Sequence, residues 1–171
     1  MFGSTVVRAC TVFLGGTVFL ASTVFLASTA GAASAQPAPA KASITSVTFS
    51  GASGPGVAAP TITITGFDFG TSMPAGTPDN KTRCGTYTGG NGDVYGTQLV
   101  FVDDDNFEAG YNGAIGTNCL GILVVSWSTS RVVLRFGNAY GKLDHWYLTN
   151  GDGYAISVDD GIYGGTVTGL K

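Results

Sequence analysis

The chain has 171 residues and a formal net charge of -3 at pH 7, and only 11% of its residues are charged while 27 are glycine. No basic stripe exists to meet phosphates, which argues against a nucleic-acid partner. With 44% hydrophobic residues the chain can bury a core, and low charge with many Gly, Thr and Tyr suits an extracellular all-β domain rich in tight turns.

Residues 1–35 read as a secretory signal peptide. Arg8 is followed by an apolar core from Thr11 to Leu26 and by small residues ending in Ala33-Ser34-Ala35, so cleavage is expected before Gln36. No twin-Arg pair is present, which points to the general secretory route. The apolar stretch exceeds the usual length of about 7–15 residues. Left uncleaved it would anchor the chain in a membrane, the only membrane contact the sequence calls for. The stretch holds one internal repeat, TVFLGG, TVFLAS, TVFLAS, beginning at Thr11, Thr17 and Thr23. A signal core needs only bulk hydrophobicity, so the repeat carries no solenoid meaning. The exported chain would have about 136 residues, a single domain by length. Its formal charge would be about -4 once Arg8 is lost. Cys10 leaves with the signal. Cys84 and Cys119 remain, an even number in an oxidising compartment, so a disulfide is expected, with two free thiols as the alternative. A bridge closing that loop would stabilise by about 3–4 kcal/mol in the chain-entropy model.

Residues 36–42, QPAPAKA, form a Pro/Ala linker, and residues 43–171 form the domain. ITSVTFSG and PTITITGFDFG carry β-branched and aromatic residues bounded by Gly and Pro, the signature of strands. Ile62 and Ile64 alternate with Thr61, Thr63 and Thr65, giving one apolar and one wet face. Over Ile44 to Gly70 the pattern resembles the opening of an IPT/TIG domain, an immunoglobulin-like module of receptors and bacterial secreted proteins. The matching positions are Ile62, Ile64, Gly66, Phe69 and Gly70. The resemblance implies a β-sandwich used for binding or spacing and supplies no catalytic residues. Downstream the chain departs from that pattern through a Gly/Asp/Asn-rich insertion.

Thr71 to Gly96 is loop-like, and a loop of that length is either functional or tied down, here by Cys84. Thr97 to Val102 reads as a central strand, followed by a turn at Asp103 to Asn106. Ile122 to Trp127 has apolar residues in both alternating sets, Ile122 and Val124 against Leu123, Val125 and Trp127. That places it inside a sheet or between layers. Its expected partner, Arg131 to Phe136, turns Val132, Leu134 and Phe136 inward and Arg131 and Arg135 outward. Leu143 to Thr149 and Tyr154 to Val158 are expected to pair around Asn150-Gly151 and Asp152-Gly153, and a last strand lies near Ile162 to Thr168. The fold class is therefore all-β: an immunoglobulin-like sandwich, or a partly closed barrel, of about eight or nine short antiparallel strands with one disulfide.

Signatures of catalysis are missing. There is no G-x-S-x-G elbow and no H-E-x-x-H. On a strand Asp144 and His145 point to opposite faces, so they make no dyad, and no carboxylate pair stands at a known separation. Calcium is the one cofactor with a candidate site. Asp103, Asp104, Asp105, Asn106 and Glu108 crowd hard oxygen donors together, although the spacing fails the EF-hand template. Asp159-Asp160-Gly161 is a second acidic turn. The competing explanation is that Asp and Asn favour turns by bonding their own backbone. Asn80-Lys81-Thr82 is formally a glycosylation sequon. Trp127, Tyr140, Trp146, Tyr147, Tyr154 and Tyr163 crowd the C-terminal half. Trp127 and Phe136 are assigned to the core. Tyr140, Trp146 and Tyr147 form the expected site for a carbohydrate or an extracellular protein partner, with Tyr140 and Tyr147 at the surface. The leading expectation is a secreted binding module rather than an enzyme. A structural or adhesion protein that associates through sheet edges and a small secreted hydrolase are the alternatives.

Overall fold

A computed structural model describes residues 41–78, 92–104, 107–111, 120–142 and 146–171, and the structural statements below concern these residues. They form β1 (Ser43–Ser50), β2 (Thr61–Phe67), β3 (Thr77–Pro78), β4 (Asp93–Val94), β5 (Leu99–Asp103), β6 (Glu108–Ala109), β7 (Ile122–Trp127), β8 (Arg131–Phe136), β9 (Gly153–Val158) and β10 (Gly161–Thr166). No helix occurs among them. The strands make two antiparallel sheets, β1-β2-β8-β7-β4-β3 and β10-β9-β5-β6. The fold is all-β and two-layered. The sheets do not close into a barrel, since β1 and β10 approach one another without pairing. The count reaches ten because β3, β4 and β6 are only two residues long, below what a sequence pattern can signal.

Period-two alternation builds the six-stranded sheet. Ile62 and Ile64 of β2 are fully buried, and opposite them stand Phe49 and Val47 of β1. The other face is a hydroxyl ladder in which Ser50 faces Thr61, Thr48 faces Thr63 and Ser46 faces Thr65. β8 follows expectation: Val132, Leu134 and Phe136 are buried, while Arg131 and Arg135 are exposed. β7 pairs with β8 as expected. In the four-stranded sheet Leu99 and Phe101 of β5 and Tyr154, Ile156 and Val158 of β9 point inward. The layers meet at Phe101. Its ring lies edge-on to Phe49 at 6.3 Å and to Phe136 at 5.1 Å, and stacks on Tyr154 at 5.7 Å. Such aromatic pairs add about 0.5–1.5 kcal/mol each beyond their area burial.

Two glycines of the PTITITGFDFG stretch have distinct roles. At Gly66 a Cβ would collide with the Ser43 carbonyl oxygen, so β1 and the Phe69 ring close over a bare backbone. Gly70 sits at φ 81°, a conformation that only glycine adopts without strain.

Three sequence expectations are corrected. Tyr154 to Val158 does not pair with the Leu143–Thr149 stretch; β9 lies between β5 and β10. The described part of that stretch, Trp146 to Thr149, is not a strand. Local bonds remove it from any ladder. The Asp152 carboxylate accepts both the Thr149 N–H and the Thr149 hydroxyl at 2.6 Å, and Tyr140 takes the Leu148 N–H. The third correction concerns β7. It is interior to its sheet, yet Leu123 and Val125 are exposed, because the outer face of that sheet meets solvent. A bulge between Val124 and Ser126 then shifts the register. Trp127, opposite Val132, therefore shares the inner face with Ile122 and Val124 instead of standing with Leu123 and Val125.

Candidate functional site

The register shift in β7 delivers Trp127 to one end of the sandwich, where a cleft of about 360 Å³ opens. Four chain segments converge on it: Phe69 to Ala75 after β2, Gln98 before β5, Trp127 at the end of β7, and Asp159 in the β9–β10 turn. Each is held by the backbone. The Phe69 N–H donates to the Thr129 carbonyl at 3.1 Å, and the Asp159 N–H donates to the Gln98 carbonyl at 2.8 Å. The Trp127 indole N–H points back into the protein, donating to the carbonyls of Phe69 at 3.0 Å and Gly70 at 3.3 Å. With its polar atom satisfied and the residue half-buried, the indole presents apolar ring surface to the cleft. Met73 adds an exposed thioether chain, placed by the Tyr95 hydroxyl, which reaches its sulfur at 3.9 Å. The Gln98 amide and the Asp159 carboxylate are exposed on the rim.

Asp159 and Asp160 have φ of 45° and 65° and form the two-residue connection between the paired ends Val158 and Gly161. Positive φ at both central positions is the type I′ hairpin geometry, which Asp tolerates better than most residues. The second acidic turn of the sequence is therefore a hairpin turn, and it sets the Asp159 carboxylate on the cleft.

The expected aromatic site is placed differently. Tyr140 is 3% exposed and Trp146 is 7% exposed, while Tyr147 is half-buried against the core. Tyr140 is not at the surface because the turn after β8 folds back, its N–H bonding the Gly137 carbonyl at 3.1 Å. Its ring then stacks on Phe136 at 5.3 Å and meets Phe107 edge-on at 6.3 Å. Burial pushes the Tyr140 phenol up to about 12; the nearby Asp103 and Asp152 charges add to the rise and the bond from Leu148 opposes it. Tyr140, Trp146 and Tyr147 thus form no common exposed platform. Trp127, assigned to the core from sequence, does pack against the core and also reaches a cleft. The one signal available for it was its setting in Ser126-Trp127-Ser128, a large ring between serines where a strand runs into a turn.

The acidic candidates also diverge. Asp103 is 3% exposed and shares the inner face with Phe101. Asp104 is exposed, and Glu108 lies opposite Val102 on the outer face. Asp105 and Asn106 lie outside the described residues, as do residues 1–40, Asn80, Cys84, Cys119, Asp144 and His145. Among the described residues no group of three or more His, Cys, Asp or Glu side chains is placed to hold a metal ion. Nor is any helix among them long and apolar enough to cross a membrane.

Other depressions lie among the described residues. One, of about 360 Å³, lies over the outer face of the four-stranded sheet beside Val100, Glu108 and Tyr111. Another, of about 330 Å³, lies between Val57, Leu123, Arg135 and Lys142. Neither combines a half-exposed tryptophan with a carboxylate and an amide. Comparison with protein-family models, with curated proteins and with solved structures returned no match.

Proposed function

We propose that the chain is a secreted, non-catalytic binding module of the immunoglobulin-like β-sandwich type, cross-linked by Cys84 and Cys119, which takes a saccharide in the Trp127 cleft. The observation that carries this reading is the Trp127 ring. Its N–H is engaged inward with Phe69 and Gly70, and its remaining ring surface lines a cleft edged by Asp159 and Gln98. A pyranose has an apolar C–H face and a rim of vicinal hydroxyls. The C–H face stacks on indole, while a carboxylate and an amide bond the hydroxyls, the combination of apolar body and few polar groups that small-ligand sites use. Among the described residues the lining supplies one carboxylate and one amide, groups that serve hydroxyl recognition. Calorimetric titration with soluble oligosaccharides tests the reading. Heat that saturates for the natural chain and vanishes for Trp127→Ala, with the fold retained, is expected. Equal heats for both chains would refute it.

A further inference from the structure

Four strands end the two sheets: β1 and β3 in one, β10 and β6 in the other. An unprotected edge is a template for another strand, so natural sheets blunt their edges with bulges, prolines, charges, short strands or a covering segment. Three of these four edges are treated in that way. β1 has a register shift between Ile44 and Ser46. Past its end the C-terminal residue covers the chain, with Lys171 N–H donating to the Gly51 carbonyl at 3.0 Å and Ser53 N–H to the Lys171 carbonyl at 2.9 Å. β3 is two residues long and contains Pro78, and β6 is two residues long and carries Glu108. The six residues of β10, GIYGGT, contain no proline or charge and pair with β9 without a bulge. β1 approaches β10 without pairing, with the Ala42 carbonyl against Gly161 at its start. Among the described residues no strand is paired on its other side.

We infer that β10 is a self-association edge, and that two copies of this chain pair there antiparallel with Gly164 on a two-fold axis. The register follows from the strand itself. The Val167 N–H donates to the Asp152 carbonyl at 2.8 Å, so the odd-numbered residues of this strand bond toward β9. By the alternation of an antiparallel ladder, Ile162, Gly164 and Thr166 direct their N–H and C=O groups outward. Centring the pair on Gly164 sets Gly164 against its copy and Ile162 against Thr166 of the second chain, which completes about six hydrogen bonds. The same register sets Tyr163 against Gly165, so no two bulky side chains oppose each other on the inner face. No like charges meet, since β10 has none. A closed two-fold dimer follows, rather than a filament, because the patch is its own complement.

The pairing would join the four-stranded sheets of two chains into one sheet of eight strands. Each Asp159 is five residues from Gly164 along an extended chain, so the two Trp127 clefts would open at opposite ends, with their Asp159 residues roughly 34 Å apart at about 3.4 Å per residue. A strand edge alone buries less than the roughly 800 Å² per partner of a standard interface. The dimer is accordingly weak, and its use is to make the module bivalent toward a repeating ligand.

Sedimentation velocity of the full chain up to about 1 mM tests the inference, with two double variants at outward positions that are exposed in the monomer. Ile162→Lys with Thr166→Lys sets like charges against each other in the proposed register and should weaken the dimer about tenfold or more. Ile162→Lys with Thr166→Glu sets opposite charges together and should retain it. A natural chain that stays monomeric at about 1 mM overturns the proposal. So does a dimer that survives in the Lys/Lys variant, or one that is lost equally in both variants. None of these outcomes depends on what the cleft binds.

Discussion

The Leu148 N–H donates to the Tyr140 hydroxyl oxygen at 2.8 Å, and both residues are buried. This bond holds the Trp146–Thr149 segment against the core, although the segment belongs to no sheet. It also explains why a tyrosine stands where a phenylalanine would fill the same space. In Tyr140→Phe the ring still stacks on Phe136, but the Leu148 N–H loses its partner in a site closed to water. The expected cost is about 1–3 kcal/mol, read as a lowered midpoint of urea unfolding with the slope unchanged. Saccharide binding should not change, because Tyr140 is not part of the Trp127 cleft.

Alkaline pH should unfold the protein through its buried phenols. Burial raises Tyr95, Tyr140 and Tyr154 from 10.0 to about 12 each, with the Asp93 charge and hydrogen bond assisting at Tyr95 and Tyr163 assisting at Tyr154. A folded value above the unfolded one means that the native state holds its phenolic protons more tightly. That stabilisation is complete below pH 10 and is lost as pH rises toward 12. A steep fall in melting temperature across this window, accompanied by a step in phenolate absorbance that coincides with unfolding, is the expected result. A melting temperature flat through the window would contradict it.

Asp160→Gly should stabilise the chain. The residue sits at φ 65° in the second central position of the β9–β10 turn, where type I′ geometry favours glycine. Relief of the left-handed conformation outweighs the added freedom of the unfolded chain, for a net gain of a few tenths to about 1 kcal/mol. Asp160→Val, β-branched at positive φ, should lose stability instead. The measurement is the unfolding midpoint of the two variants. Because Asp159 and not Asp160 lines the cleft, binding should be unaffected in both.

The alternating strands were legible because their pattern is the physics of a half-buried sheet. Ile62 with Ile64, and Val132 with Leu134 and Phe136, lie where period two puts them. β7 was not legible in full. An unpaired residue at its bulge carries no mark in the sequence, yet it reverses the face assignments of Ser126 and Trp127. That reversal puts Trp127 on the inner face, packed against the core as expected and with part of its ring on the cleft. The expectation for Tyr140 failed. Crowded aromatics signal a cluster, but whether a ring faces water depends on how the next turn folds, here back over Phe136. The acidic run at Asp103 was divided by the same alternation that made β5 a strand, with Asp103 turned inward and Asp104 exposed to solvent. Pairing of the two-residue strands rests on tertiary contacts that no local pattern encodes.

The two tryptophans of the chain allow the most direct test of the central claim. Trp146 is buried, whereas Trp127 lines the cleft, so a ligand in the cleft should perturb the emission of Trp127 alone. Intrinsic fluorescence should be titrated with a panel of soluble polysaccharides for the natural chain and for Trp127→Phe, whose only remaining tryptophan is Trp146. The account predicts a saturable change for at least one polysaccharide in the natural chain and none in Trp127→Phe. Emission of the natural chain that stays flat across the panel, or a saturable change that persists in Trp127→Phe, would contradict it.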